Sequence, residues 1–159
     1  MIFVVLGTHE LPFTRLLEEV ERLQKEEVIT EEVVVQVGHT PYKSETMKLI
    51  PFMSYADMEA YFDQARLIIT HAGTGSIITG VKKGKTVIAA ARLEKYGEHN
   101  DDHQIEISET FSNKGHILSV VEMEDLESKL EEAKSFEPVP FESGRDRMIG
   151  LIDDFIKSI

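Results

Sequence analysis

"LIITHAGTGSIITGVKKGKTVIAA", residues 67–90, decides how the whole chain is read. Leu67–Thr70 is a short apolar, β-branched run that reads as a buried strand. "HAGTGS" is a small polar turn. Ser76 to Lys83 reads as a helix closed by Gly84, and Thr86–Ala90 is a second strand. Strand, turn, helix and strand in this order make a parallel unit with a crossover helix.

The same alternation extends in both directions. Toward the N-terminus, Ile2–Leu6 is a strand that stops at Gly7. Pro12 to Lys25 reads as a helix with Leu16, Leu17, Val20 and Leu23 on one face, and Pro12 suits its first turn. Val33–Val37 is a strand stopped at Gly38, and Met47–Ile50 is a further strand ending before Pro51. Ser54 reads as the N-cap of a helix through Asp63, with Asp57 at the capping-box position. Toward the C-terminus come a loop at 91–97, a helix from about Asn100 to Asn113, a strand His116–Val121 and a helix Met123–Lys134. "FEPVPFES" connects these to a final helix, Gly144–Ile159. No repeat or low-complexity segment interrupts the series. The expected fold is α/β: a Rossmann-like parallel sheet with helices on both faces. The expected organisation is a single domain, 1–159.

Bulk properties narrow the function. The chain has 159 residues and is 42 % apolar, enough for one core. It carries 29 acidic against 17 basic residues, a formal charge of −12, which argues against bulk nucleic-acid binding. An acidic chain still binds phosphorylated small molecules where helix N-termini and backbone N–H groups supply a local positive field. Without cysteine there is neither a disulfide framework nor a thiolate zinc site. "MIFVVLGTHE" reads as a first strand, not a signal peptide, and no stretch approaches the roughly 18 apolar residues of a spanning helix. The cytosol is the expected compartment.

In a parallel sheet ligands bind beyond the C-terminal strand ends, near a topological switch point. Gly7-Thr8-His9, Gln36-Val37-Gly38 and His71 to Ser76 should therefore share one edge, together with the loop carrying His99–Gln104. In the turn after Thr70, Gly73 and Gly75 allow close backbone approach and Thr74 and Ser76 add hydroxyls. Phosphate binding and a turn needed only for packing both fit this short motif. "GVKKGKT", 80–86, imitates a phosphate loop but leads into a strand instead of following one, so it is rejected. Its lysines suit a helix C-terminus. "GEHNDDHQ", 97–104, has three readings. His99 and His103 with Asp102 are metal-type ligands, the segment is also a plausible solvated helix start, and its side chains can bind sugar hydroxyls or phosphate. His9, on the loop after the first strand, is a candidate general base or a loop-ordering residue.

Taken together, "GTHE…PF", "HAGTGS" and "HNDDHQ" at these separations resemble the donor-binding signature of family 28 glycosyltransferases. Within that family the chain is similar to short bacterial exopolysaccharide proteins of the PssE type. It is also similar to the soluble catalytic subunit of the two-part N-acetylglucosaminyltransferase of lipid-linked oligosaccharide synthesis. The resemblance reaches to about residue 120. It implies the C-terminal, donor-binding half of a GT-B enzyme, inverting, with no required metal and no cofactor.

It also implies residue roles. Gly7 and Thr8 approach the donor phosphates, and Gly38 ends a strand at the same cleft. Phe52 and Met53 meet the uracil. Gly73, Thr74, Gly75 and Ser76 hold the diphosphate. Asp102, His103 and Gln104 read the donor sugar. His71, Arg92 and His99 complete the expected donor-binding set, and His9 is the candidate catalytic residue. Two positions depart from the family pattern. Thr79 stands where larger members carry a ribose-binding carboxylate, and Ala91-Arg92 follows the strand where proline is common.

The implied reaction transfers a hexose or N-acetylhexosamine from a UDP-sugar to a polyprenyl-diphosphate-linked saccharide, in exopolysaccharide or capsule synthesis. A membrane-anchored Rossmann-like partner would supply the other half and hold the chain at the inner membrane face. A non-catalytic UDP-sugar-binding regulatory subunit is the alternative, and a hydrolase built on a His99, Asp102, His103 metal site is a third. Met148, Ile149, Leu151, Ile152, Phe155, Ile156 and Ile159 form an apolar stripe, so the last helix either covers the sheet or docks the partner.

Overall fold

The computed structural model describes residues 1–141, so the expected helix at 144–159 lies outside the described residues. Among the described residues six strands and five α-helices alternate except between β2 and β3: β1 Ile2–Val5, α1 Thr14–Lys25, β2 Val33–Gln36, β3 Lys48–Ile50, α2 Tyr55–Gln64, β4 Leu67–His71, α3 Thr74–Lys82, β5 Thr86–Ala90, α4 His103–Asn113, β6 Leu118–Val120 and α5 Leu126–Ala133. The strands form one sheet in the order β3-β2-β1-β4-β5-β6. Every pairing is parallel, including β2 with β3, which a loop joins without a helix. From β1 the chain builds outward to β2 and β3, then returns to build β4, β5 and β6 on the other side. The switch point therefore lies between the C-terminal ends of β1 and β4.

Both faces of the sheet are covered, which is why the strands read as continuous apolar runs. On one face Ile2, Val4, Val33, Val35, Leu67 and Ile69 pack against Leu16, Leu17, Val20 and Leu23 of α1 and Leu126 of α5. On the other, Phe3, Val5, Val34, Ile68 and Val87 pack against Phe62 of α2, Ile77 and Val81 of α3 and Phe111 of α4. Gly80 lies where α3 crosses the sheet: a Cβ there would come within 2.6 Å of Val87 Cγ2.

Several boundaries differ from those expected. α1 starts at Thr14, not Pro12, because Phe13 is buried and its N–H donates to Thr40 Oγ1 (3.0 Å) before the helix begins. α3 starts two residues before Ser76, with Gly73 as its N-cap. α4 starts at His103, not near Asn100, with Asp102 at the N-cap position. The segment expected as one helix from Met123 begins with a 3-10 turn, Met123–Asp125. The strand expected at 116–121 is confined to Leu118–Val120, because His116 turns its ring nitrogen to the Val139 carbonyl (2.5 Å). Ser54 does cap α2, accepting from Asp57 N–H at 3.1 Å. Of the three lysines in "GVKKGKT", Lys85 caps α2 through the Asp63 carbonyl (2.8 Å) and Lys83 reaches the Glu59 and Asp63 carboxylates. Among the described residues no helix is long and apolar enough to cross a membrane.

Candidate functional site

A cleft of about 560 Å³ opens over the C-terminal ends of β1, β2 and β4, at the switch point where parallel sheets bind ligands. Gly7, Thr8 and His9 line it from the loop after β1, and Gly73 to Ser76 from the start of α3. Phe52, Met53 and Met58 form an apolar wall, while Gln36, His71, His99 and Gln104 complete the lining.

His71 ends β4 and stands at the centre. Its ring fills the space left by two missing Cβ atoms: a Cβ on Gly7 would sit 2.4 Å from His71 Nε2, and one on Gly73 2.5 Å from Cε1. Gly7 also has φ +78°, a backbone conformation that favours glycine. Gly38, at φ +58°, would drive a Cβ to 2.3 Å from the Gly7 carbonyl oxygen. Buried Gln36 fixes the same loop: its Oε1 accepts from Gly7 N–H (2.9 Å), and its Nε2 donates to the Gly7 (3.0 Å) and Pro51 (3.1 Å) carbonyls.

Gln104 sets the state of His71. Its Oε1 accepts from Ala72 N–H (3.1 Å) and Arg92 N–H (3.0 Å), which orients the amide. The Nε2 end then faces His71 Nδ1 at 3.1 Å and must donate to it. Nδ1 is therefore the unprotonated nitrogen, and the neutral ring carries its proton on Nε2. Burial, reinforced by the electrostatic influence of Arg92, then of His99 and His9, pushes the His71 pKa down to about 3. The ring is a neutral N–H donor at the glycine slot across the physiological range. It lies beside the first turn of α3, whose N–H groups at Thr74, Gly75 and Ser76 have no intrahelical acceptor. Gly75 is exposed, and a Cβ there would meet nothing within 4 Å.

At the rim, His9 and His99 stack with ring centroids 4.4 Å apart. His9 Nδ1 accepts from Leu11 N–H at 3.1 Å. Burial, then the neighbouring His99 and Arg92, hold the His9 pKa below its usual value. Across the cleft the Phe52 ring is 54 % exposed and meets His39 edge-on at 5.1 Å, so an open face is free for a flat ligand group. Among the described residues no lysine or arginine lines the cleft.

Four expected donor-binding residues are not in that lining. Gly38 acts through its backbone turn. Arg92 is buried, with its guanidinium donating to the carbonyls of Leu6 (2.6 Å), Leu11 (2.7 Å) and Glu98 (3.0 Å), so it braces the loops around the cleft. Asp102 Oδ1 accepts from Glu94 N–H (3.0 Å), and His103 faces Asp101 and Glu106. These side chains are turned apart, and among the described residues no group of three His, Asp or Glu side chains could hold a metal ion. Sequence reasoning placed Gln36 at this edge, as the polar residue ending the apolar run "VVVQ", but gave its side chain no role. It also missed the bidentate pair of Arg15 with buried Glu98, both contacts 3.0 Å, which ties α1 to the 91–98 loop.

Residues 1–155 match the model of the glycosyltransferase family 28 C-terminal domain. A curated relative from Yarrowia lipolytica (strain CLIB 122 / E 150), named UDP-N-acetylglucosamine transferase subunit ALG13, is 32 % identical over 77 residues, covering 48 % of this chain and 37 % of its own length. The solution structure of ALG13 superposes with a TM-score of 0.62 at 20 % identity, over 95 % of this chain and 93 % of that one. The glycotransferase of kitacinnamycin superposes with a TM-score of 0.58 at 20 % identity, over 98 % of this chain but 39 % of that one. The chain thus has the fold of one part of a larger glycosyltransferase, and its match spans well under two thirds of the curated relative.

Proposed function

The chain belongs to the glycosyltransferase family 28 C-terminal domain family, and on that premise we propose that it is the donor-binding subunit of an inverting UDP-sugar glycosyltransferase. The observation that carries this reading is the neutral His71 N–H donor beside the first turn of α3, in a cleft lined, among the described residues, by no lysine or arginine. Fixed N–H dipoles of this kind suit a diphosphate, and they stabilise it more as it leaves and gains charge. The uracil lies against Phe52 and Met53, the diphosphate over Gly73–Ser76, and the sugar toward His99 and Gln104.

The donor is UDP-N-acetylglucosamine, the sugar in the name of the relative from Y. lipolytica. The acceptor is a sugar hydroxyl on a polyprenyl-diphosphate carrier, as in exopolysaccharide or lipid-linked oligosaccharide synthesis. A membrane-anchored partner covers the open side of the cleft and presents that acceptor at the cytoplasmic face. The reaction is attack of the hydroxyl on the anomeric carbon with departure of UDP.

Calorimetry with UDP in the presence of a chelator tests the donor site. Wild type should bind, and Gly75→Val should keep its fold but lose at least about tenfold in affinity, by blocking backbone approach. Because a Cβ at Gly75 meets no protein atom within 4 Å, a loss there reports the ligand and not a packing clash. Binding only on addition of magnesium or manganese would overturn the metal-free diphosphate site.

A further inference from the structure

We infer that Gln36 is a positioning residue for the nucleotide: its side chain fixes the span between the aromatic wall at Phe52 and the glycine slot at Gly7, so that one nucleoside diphosphate meets both at once. The inference rests on the transferase reading above. Gln36 ends β2, which lies between β1 and β3 in the sheet. The loop after β1 carries Gly7 and Thr8, and the segment after β3 carries Phe52 and Met53. These two segments do not adjoin in the sheet, so a link between them must cross the end of β2. Gln36 Nε2 makes that link, donating to the Gly7 carbonyl (3.0 Å) on one side and to the Pro51 carbonyl (3.1 Å) on the other. Oε1 accepts from Gly7 N–H at 2.9 Å. Only this orientation of the amide serves, because turning it over would set its oxygen against two carbonyls.

The main chain ties each segment to β2 separately. Leu6 N–H donates to the Gln36 carbonyl (3.0 Å), while Val37 N–H donates to the Ile50 carbonyl (2.9 Å) and Gly38 N–H to the Pro51 carbonyl (2.7 Å). The Gln36 side chain bonds to both segments at once. It lines the cleft although it is 3 % exposed. An amide nitrogen has two N–H donors, and both are in use. A phosphate oxygen, which needs a donor, therefore finds none free on this side chain. The influence of Gln36 on a diphosphate passes through the two segments it holds. Two recognition points kept at a fixed separation favour a ligand that joins them, because little freedom remains to be lost on binding.

Calorimetry of UDP on the full chain, with thermal melts to confirm the fold, tests the span. Gln36→Met keeps the length of the side chain and removes its three bonds. It should lower UDP affinity at least about tenfold. Phe52→Ala should lower affinity at least about fivefold in wild type but less than about twofold on the Gln36→Met background, because the ring there no longer stands at a fixed distance from the Gly7 loop. Losses that multiply would mean that the two residues act independently, and the inference would be overturned. Gln36→Glu supplies a rescue. Ionised, the introduced carboxylate repels both carbonyls. Protonated, it donates to one of them and still accepts from Gly7 N–H. Its UDP affinity relative to wild type at the same pH should recover as pH falls from about 8.5 to about 5.5, while that of Gln36→Met stays flat. A Gln36→Glu ratio that fails to rise overturns the inference, and this arm decides alone if Gln36→Met does not fold. Failure of wild type to bind UDP would instead remove the transferase reading, and the role of Gln36 with it.

Discussion

Gln104 contributes through geometry more than through ligand contact. One side chain satisfies Ala72 N–H, Arg92 N–H and His71 Nδ1, so Gln104→Ala leaves three groups without their partner in the cleft wall. At about 1–3 kcal/mol for an unsatisfied buried group, with relaxation and water recovering part, the expected cost is about 2–4 kcal/mol in urea unfolding. Affinities for UDP and UDP-sugar should then fall together, because the loop proposed to hold the diphosphate is disturbed. A loss confined to UDP-sugar would restore a direct sugar contact. His71 gives a pH signature. Its folded pKa is depressed to about 3, below the roughly 6.5 of an unfolded histidine. The unfolded state therefore binds the extra proton, and stability present above pH 6.5 is lost as pH falls toward 3. The slope approaches about 1.4 kcal/mol per pH unit. His71→Gln should flatten that slope in thermal melts between pH 4 and 6.5, and an unchanged slope would place the proton elsewhere. The sequence made Gly7 and Gly73 legible as positions of close approach. It could not show what approaches, because a missing Cβ leaves room equally for a ligand or for a neighbouring ring, and His71 takes that room.

Elements were legible wherever burial dictated pattern. Each strand core was readable because both sheet faces are covered, and α1 was readable from its apolar stripe. The start of α2 was legible from its Ser54 cap, but those of α1 and α3 were not, since long-range partners set them: Thr40 takes the Phe13 amide and Gln104 takes the Ala72 amide, ending the preceding loops at positions no local rule marks. The loop at 91–98 shows the same dependence. Arg15 of α1 donates to both Glu98 oxygens, to the Ala91 carbonyl (3.2 Å) and to the Val121 carbonyl (2.8 Å). Glu98 also accepts from Leu93 N–H at 3.0 Å. With Arg92 bound to the Leu6 and Leu11 carbonyls, the network locks the His9 and His99 loops to one another. Removing one partner of a buried pair leaves the other charge uncompensated, typically at about 3–5 kcal/mol. Arg15→Met should approach the lower end of that range, since Arg15 keeps some solvent contact. Adding Glu98→Gln should recover part of the loss in a double-mutant cycle. Strict additivity would mean that the pair is not coupled.

At the scale of the molecule, the charge distribution makes the firmest demand on the proposed donor site. The chain carries a formal −12, UDP is itself an anion, and no lysine or arginine lines the described cleft. Attraction must come from short-range N–H donors at His71 and the first turn of α3, against a long-range repulsive field. Salt acts on these two parts differently. The Debye length shortens from about 30 Å at 0.01 M to about 10 Å at 0.1 M, which screens the repulsion while leaving direct hydrogen bonds at contact distance. A site built from lysines or arginines would lose affinity over that range as its attraction is screened. Here UDP affinity should stay level or rise when measured by calorimetry from 0.01 to 0.1 M sodium chloride at pH 7.5. A fall of tenfold or more would mean that a cation outside this lining, such as a lysine on a moving loop, binds the diphosphate, and the neutral-dipole account of the site would be wrong.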